Sequence, residues 1–239
     1  IERNEMNGVL IIADTHGYLS DKLLGALMEM GSIKIGCPID HVLHAGDVAG
    51  RGPLRPEQII TKLQSIAPTT VVRGNTDDQT FPARVCFNCG GRNFIVEHGH
   101  HFQARPQPSR HNQDIIKRLK ANHGDILVTG HSHMAEFFFE NGIYFLNPGS
   151  AGPRRFNSAG QRCALLRLNQ ADASITAWRV QIEKGDTISW TLWPLESHTK
   201  RPLLSSISPS TAEVKLTSET DKKIVRRTKR KRTSLITIP

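Results

Sequence analysis

The stretch Val9-Leu10-Ile11-Ile12-Ala13-Asp14-Thr15-His16 joins a continuous apolar run to two potential metal ligands. A short apolar run that ends in turn-forming residues is typical of a strand buried on both faces of a sheet. In layered α/β proteins, ligand-binding side chains gather just beyond the carboxyl ends of such strands. The stretch therefore predicts a buried strand that delivers Asp14 and His16 to a functional edge of the sheet.

Four more segments repeat this arrangement. Residues 41–45, 69–73, 93–97 and 125–129 are each predicted to be strands, and each is followed directly by a polar motif. The motifs are Gly46-Asp47, Gly74-Asn75, His98-Gly99-His100 and Gly130-His131-Ser132-His133. Any one motif alone is more often a turn than a ligand pair. Because all five follow the same kind of segment, we expect one crevice in which carboxylate, amide and imidazole ligands suit a pair of divalent metals.

Other elements are indicated by local signals. Ser20 is predicted to cap one helix, and Pro56 to open a second. Hairpins are predicted around Gly90-Gly91 and Asn141-Gly142. Two closing strands are expected at residues 163–168 and 174–181.

The order and spacing of the five motifs resemble those of the calcineurin-like metallophosphoesterases. Three further stretches resemble their small YfcE-like phosphodiesterase branch: Gly46-Asp47-Val48 followed by Gly52-Pro53, Gly74-Asn75-Thr76-Asp77, and Asn147-Pro148-Gly149-Ser150. The resemblance implies a four-layer α/β/β/α sandwich. In that fold two mixed sheets lie face to face, helices cover them on the outside, and metals bind at the strand ends.

The same resemblance implies that the motif residues hold two divalent ions. Two neighbouring cations need a bridging carboxylate, and by resemblance Asp47 takes that place. Each ion would be completed by three further ligands: Asp14, His16 and His133 for the first, and Asn75, His98 and His131 for the second. Mn²⁺ or Ni²⁺ are the favoured ions, with Zn²⁺ or Fe²⁺ as alternatives, since imidazole-rich sites suit borderline cations.

A site of this kind hydrolyses phosphate esters. Two cations about 3.5–4 Å apart generate hydroxide near neutral pH and clamp phosphoryl oxygens, so we expect in-line attack on phosphorus by a metal-bridging hydroxide. Asn75 and His100 are expected to serve catalysis, and Arg51 and His100 to contact the substrate. The alternatives are a turn role for Asn75, packing for His100 and a plain surface position for Arg51.

Thr76 bears on the type of ester. Many phosphatases of this class have His directly after the Gly-Asn pair, where it protonates the leaving group, but this chain has Thr76 there. A threonine cannot act as a general acid at neutral pH, so poor leaving groups should suffer most. We therefore expect a phosphodiesterase. The alternatives are a phosphomonoesterase or phosphoprotein phosphatase, and a non-catalytic protein-binding scaffold like the retromer subunit that resembles this family.

The positive charge of the chain is concentrated at its C-terminal end. Residues 200–239 contain eleven Lys and Arg against three Asp and Glu, so they hold +8 of the formal net charge of +9. Ser and Thr are abundant there and apolar periodicity is absent, which predicts a disordered basic tail at residues 196–239 after a metallophosphoesterase domain at residues 7–195. The tail would either keep the protein soluble or make weak polyanion or nucleic-acid contacts by counterion release.

Composition also bears on location. The sequence has no run of eighteen apolar residues, and its first residues lack the pattern of a secretion signal. Its four cysteines form no disulfide framework. We therefore expect a cytoplasmic protein without a membrane span, and the family resemblance suggests a homo-oligomer.

Overall fold

The structure, a computed structural model, describes residues 6–102, 117, 119–120, 124–153, 161–183 and 187–197. The bounds of the described helices are α1 (Asp21–Ile35) and α2 (Pro56–Gln64). The bounds of the described strands are β1 (Met6–Ile12), β2 (Ile39–His44), β3 (Thr69–Val71), β4 (Arg84–Cys89), β5 (Arg92–Glu97), β6 (Ile126–Val128), β7 (Ala135–Glu140), β8 (Ile143–Pro148), β9 (Arg162–Asn169), β10 (Ile175–Ile182), β11 (Ile188–Trp193) and β12 (Glu196–Ser197). A short 3₁₀ turn occupies His100–Phe102. Nearly all of the predicted basic tail lies outside the described residues, so its disorder stays a prediction.

The described strands form two six-stranded sheets. The first sheet has the order β11-β10-β9-β1-β2-β3, and the second has the order β12-β7-β8-β6-β5-β4. Neighbouring strands β1, β2 and β3 are parallel in the first sheet, and β5, β6 and β8 are parallel in the second. Because parallel neighbours run in the same direction, their carboxyl ends lie at the same edge of each sheet. This edge carries the predicted polar motifs.

Apolar side chains define the layers. Val9 and Ile11 pack between the two sheets with Phe94 and Val128. Their neighbours Leu10 and Ile12 point to the other face of β1, where they pack under α1 and α2 with residues such as Leu23 and Leu63. Leu119, a helical residue, packs with Ile95 and Leu127 on the outer face of the second sheet. These clusters confirm the predicted mixed α/β sandwich and explain why β1 is apolar at every position from residue 9 to residue 12.

Local sequence signals place the helices and hairpins as predicted. The Ser20 side chain accepts a hydrogen bond from the Leu23 N–H at the start of α1, and Gly36 ends that helix with φ +74°. Pro56 is the first residue of α2. The turns Gly90-Gly91 and Asn141-Gly142 join β4 to β5 and β7 to β8.

Two strands go beyond the sequence prediction. β11 has the sequence Ile-Ser-Trp-Thr-Leu-Trp, and its alternation of apolar and polar residues is a signal typical of a strand. β12, at Glu196–Ser197, pairs in parallel with β7. Among the described residues, we find no helix with both the length and the hydrophobicity of a transmembrane segment.

Candidate metal centre

The five predicted motifs meet at the edge where the two sheets adjoin. The first sheet supplies the residues that follow β1, β2 and β3, and the second supplies those that follow β5 and β6. The structure brings together all seven residues that the sequence proposed as ligands: Asp14, His16, Asp47, Asn75, His98, His131 and His133.

The backbone at these positions is unusual. Five of the seven have left-handed backbone angles, with φ of +54° at Asp14, +48° at His16, +55° at Asp47, +66° at His131 and +58° at His133. Among the other described non-glycine residues, positive φ occurs at Asn141 and Ala173. A left-handed residue costs about 1–2 kcal/mol and persists where its surroundings enforce it, as at functional sites. Strained backbone is therefore concentrated at the candidate ligands.

Glycines allow the loops after β2 and β3 to touch. A Cβ on Gly74 would lie 2.1 Å from Asp47 Oδ1, and a Cβ on Gly46 would lie 2.8 Å from the Gly74 nitrogen. Both distances are too short for any side chain. The two glycines thus let Asp47 and Asn75 occupy adjoining positions.

One half of the site consists of Asp14, His16 and His133, all of which are buried. The Nε2 atoms of His16 and His133 lie 3.3 Å apart. Asp14 Oδ1 lies 3.4 Å from His133 Nε2 and 3.9 Å from His16 Nε2. One carboxylate oxygen and two imidazole nitrogens therefore face one small volume, and this trio could hold an ion.

The other half is built around His98. Its Nε2 lies 3.3 Å from Asp47 Oδ1 and 3.1 Å from Asn75 Oδ1, and Asn75 Oδ1 lies 2.9 Å from His131 Nδ1. Asp47 Oδ2 lies 3.6 Å from His16 Nε2 in the first half. The two oxygens of Asp47 are thus directed to histidines of different halves, which is the arrangement a bridging carboxylate needs. Asp14 also adjoins both halves, because its Oδ1 lies 4.0 Å from His98 Nε2.

The tautomer of His98 tests whether the donor set fits a cation. His98 Nδ1 lies 2.7 Å from the Ala45 carbonyl oxygen, which can only accept, so Nδ1 carries the proton. In the neutral ring Nε2 then offers a lone pair, and it faces oxygen lone pairs of Asp47 and Asn75. Lone pairs that converge in this way need a proton or a cation between them. A divalent cation meets all three donors, so the residues fit a metal ion.

The protonation states of Asp47 and His98 reflect the contacts between these two residues. Burial opposes charge on both partners, but the hydrogen bond and charge of His98, with the Thr76 N–H, hold the pKa of Asp47 below its ordinary value. Burial likewise works against a charged His98, but Asp47 and Asp14 outweigh it and raise the pKa of His98. Burial lowers the pKa of His131. The first two shifts favour a carboxylate beside a proton or cation.

Asp77 is a supporting residue whose role the sequence did not show. Its Oδ1 accepts the Ala49 N–H at 2.7 Å and its Oδ2 accepts the Gly74 N–H at 2.8 Å, so one carboxylate joins the loops after β2 and β3. Thr76 joins the same loops, since its N–H donates to Asp47 Oδ1 at 2.9 Å and its hydroxyl donates to the Ala49 carbonyl at 2.7 Å. The Thr76 hydroxyl therefore serves loop structure.

Two side chains of the stretch 147–150 form hydrogen bonds with the loops that carry candidate ligands. Asn147 Nδ2 donates to the Gly130 carbonyl at 2.7 Å and lies 3.1 Å from Ser132 Oγ. The Ser150 hydroxyl donates to the Asp14 carbonyl at 2.9 Å. This motif is part of the family resemblance in the sequence, but the sequence alone did not indicate a function for these side chains.

The two residues that were predicted to contact the substrate, His100 and Arg51, occupy different positions relative to the site. The His100 ring lies 5.5 Å from the His98 ring and 6.2 Å from the His131 ring, at the second half of the site. Burial, followed by the neighbouring His101, lowers the pKa of His100. Arg51 has an exposed side chain on a loop that is held near His16 by the Gly52 N–H, which donates to the His16 carbonyl at 2.9 Å.

Comparison with known proteins reveals related sequences. A family model described as a calcineurin-like phosphoesterase superfamily domain matches residues 7–171. A probable metallophosphoesterase of Mycoplasma pneumoniae is 31% identical over 150 residues, which cover 61% of this chain and 79% of the relative. The probable metallophosphoesterase YsnB of Bacillus subtilis is 27% identical over 168 residues, which cover 70% of this chain and 88% of the relative.

Solved structures share the fold. Vps29 of Entamoeba histolytica complexed with Zn²⁺ is 26% identical, with a TM-score of 0.60 over 78% of this chain and 98% of that one. A predicted phosphoesterase of Streptococcus pneumoniae is 23% identical, with a TM-score of 0.54 over 79% of this chain and 98% of that one.

Proposed function

The chain belongs to the calcineurin-like phosphoesterase superfamily, and from that premise we propose that it is a phosphodiesterase that holds two divalent ions. The observation that carries the proposal is the convergence of seven donor side chains from five strand ends, with the two Asp47 oxygens directed to different halves. In this proposal Asp14, His16 and His133 complete the first metal position. Asn75, His98 and His131 complete the second.

The charge balance of the site favours an anionic substrate once ions are bound. Divalent ions at these positions would supply a nucleophile at neutral pH and neutralise charge on the phosphoryl oxygens. Two carboxylates, Asp14 and Asp47, offset half of the charge of two such ions. The site then keeps a net charge of about +2, which attracts a phosphodiester anion.

Thr76 supports the preference for a diester with a good leaving group. Its hydroxyl is engaged by the Ala49 carbonyl, and a threonine does not protonate a leaving group at neutral pH. We assign His100 to the substrate side of the site because its ring adjoins His98 and His131. Arg51 is assigned to the substrate side as well, since it is exposed on a loop that is bonded to the His16 backbone, and a guanidinium offers a planar fork to phosphate.

The test is hydrolysis of bis-p-nitrophenyl phosphate and of p-nitrophenyl phosphate. Protein stripped with EDTA is assayed alone and after addition of Mn²⁺, Ni²⁺, Zn²⁺ or Mg²⁺. We expect no turnover without metal, faster turnover with Mn²⁺ or Ni²⁺ than with Mg²⁺, and a higher kcat/KM for the diester than for the monoester. A higher kcat/KM for the monoester would identify a phosphomonoesterase.

The likeness to Vps29 favours a second candidate, a non-catalytic protein-binding scaffold. A scaffold could still bind ions, because the Vps29 of Entamoeba histolytica was crystallised with Zn²⁺. Protein that binds metal but hydrolyses neither ester with any of the four ions would support the scaffold and reject the phosphodiesterase.

A further inference from the structure

His44 is a fully buried histidine that lies between the loops after β1 and β2 and is not a candidate ligand. Its Nδ1 accepts the Gly46 N–H at 3.2 Å, so the ring proton is on Nε2. Nε2 lies 3.0 Å from the Thr15 hydroxyl oxygen and donates to it. The Thr15 hydroxyl in turn donates to the Val48 carbonyl at 3.4 Å. The Gly46 N–H can only donate and the Val48 carbonyl can only accept. The direction of each hydrogen bond between them is therefore fixed.

The hydrogen bonds of His44 and Thr15 involve residues that are adjacent in sequence to three candidate ligands. Thr15 stands between Asp14 and His16, while Gly46 and Val48 flank Asp47. All three of these ligands have left-handed backbone angles, which their surroundings must enforce. The His44–Thr15 pair is thus placed where it can impose the backbone conformation of both carboxylate loops.

We propose that the His44–Thr15 pair is a positioning device that holds Asp14, His16 and Asp47 in the geometry required to bind the metal ions. This inference rests on the proposed function. Neither member of the pair would touch an ion or a substrate, so both would act through the ligands beside them.

Two observations set this pair apart from ordinary core packing. An apolar side chain would fill the same buried volume, but it would leave the Gly46 N–H without the acceptor that His44 Nδ1 provides. Burial, followed by the charge of His98, also lowers the pKa of His44 to about 3. The ring thus stays neutral at physiological pH, and it keeps one donor and one acceptor.

The same strand offers a matched control. His41 lies on β2, three residues before His44, and its Nε2 lies 2.8 Å from the hydroxyl oxygen of Thr70 on β3. This second His–Thr pair joins neighbouring strands but has no candidate ligand next to either member. Thr70→Val therefore removes the same kind of hydrogen bond without touching the ligand loops.

The experiment compares Thr15→Val, Thr15→Ser and Thr70→Val with the wild-type chain. Metal-free protein is titrated with Mn²⁺ by calorimetry, and its melting temperature is measured separately. We expect Thr15→Val to weaken Mn²⁺ binding by about 10–100-fold, as losses of supporting hydrogen bonds around metal ligands typically do. Thr15→Ser keeps the hydroxyl and should restore wild-type affinity. Thr70→Val should bind Mn²⁺ as the wild type does, even if it melts at a lower temperature.

The outcomes separate this inference from the proposed function. A wild-type chain that binds no metal would overturn both. If the wild type binds Mn²⁺ and Thr15→Val binds it equally well, the positioning role alone is wrong. An equal loss of affinity in Thr15→Val and Thr70→Val would also reject it, because a general loss of stability would then explain both. Should Thr15→Val fail to fold, His44→Phe replaces it, with the same expected loss of affinity.

Discussion

Asp47 is the side chain on which the contacts of the two halves converge. Its Oδ1 accepts the Thr76 N–H and faces His98, while its Oδ2 faces His16. Its backbone is left-handed and its neighbour Gly46 leaves no space for a side chain. A change at this position therefore affects both halves at once, whereas a change at His133 affects one.

We expect Asp47→Asn to remove activity more completely than His133→Ala. The substitution removes one of the two carboxylates among the candidate ligands and replaces one of its oxygens by an NH₂ group that cannot bind a cation. The loss should exceed the about 10–100-fold that removal of a supporting partner typically costs. Metal content and diester turnover are measured on both variants, and Asp40→Asn, which changes an exposed carboxylate on the preceding strand β2, serves as the control. Two bound ions and a near-normal rate in Asp47→Asn would show that the bridging assignment is wrong.

His44 should make the metal-free protein sensitive to acid. Its pKa in the folded state is about 3, against an ordinary value of 6.5, so the unfolded chain binds this proton first as the pH falls. The free energy of unfolding should therefore decrease between about pH 6.5 and pH 3, by up to about 1.4 kcal/mol per pH unit from this group. Urea unfolding in EDTA from pH 7.5 to pH 4 measures the slope. The free energy of unfolding of His44→Phe should depend less steeply on pH. An equal pH dependence in both proteins would contradict the lowered pKa of His44.

At the scale of elements, the loops after β2 and β3 act as one unit. Asp77 bonds the N–H groups of Ala49 and Gly74, and the glycines remove any side chain between the loops. The loop after β3 supplies Asn75, and the loop after β2 supplies Asp47. The relative position of these two candidate ligands therefore depends on the Asp77 carboxylate.

Asp77→Asn should loosen this unit. The amide keeps one acceptor oxygen, but it turns an NH₂ group toward the second backbone N–H, so one of the two bonds is replaced by a repulsion. We expect metal affinity to fall by about 10–100-fold. Asp78→Asn is the matched control, because the neighbouring Asp78 bonds only locally, to Thr80, among the described residues. Calorimetric titration with Mn²⁺ decides the matter, and equal affinities in the two variants would refute a clamping role for Asp77.

The sequence predicted those elements whose signals are local. β1 and β5 follow from apolar runs that end in ligands, and the hairpin turns follow from Gly90-Gly91 and Asn141-Gly142. The roles of Asp77 and His44 could not be read in this way, because each also bonds a residue far away in the chain: Asp77 bonds Ala49 at a separation of 28 residues, and His44 bonds Thr15 at a separation of 29. The lack of a general acid at Thr76 stays a prediction, and only the fold reveals that its hydroxyl bonds the Ala49 carbonyl.

At the scale of the whole molecule, the candidate metal ligands and the excess positive charge lie in different segments of the chain. All the candidate ligands lie between residues 14 and 133, whereas residues 200–239 hold +8 of the net charge of +9. The remaining residues are therefore nearly neutral. We infer that any attraction to polyanions resides in the basic tail.

Deletion of residues 200–239 should leave metal content and diester turnover unchanged and remove most binding to polyanions. Full-length protein is expected to bind heparin at low salt and to release it as salt rises, because such contacts depend on displaced counterions. Heparin chromatography of both forms measures the difference. A truncated form that loses metal or precipitates would show that the tail belongs to the folded domain that carries the candidate ligands.

The left-handed backbone at five candidate ligands has a consequence for the life of the protein in the cell. At about 1–2 kcal/mol each, these residues cost an amount comparable to the whole stability of a typical domain, about 5–15 kcal/mol. An ion that binds only the folded chain offsets that cost in proportion to the logarithm of its concentration. The local supply of metal would then set how long each copy escapes proteolysis, as well as how fast it works. A shortage of the ion would then lower the amount of the protein in the cell.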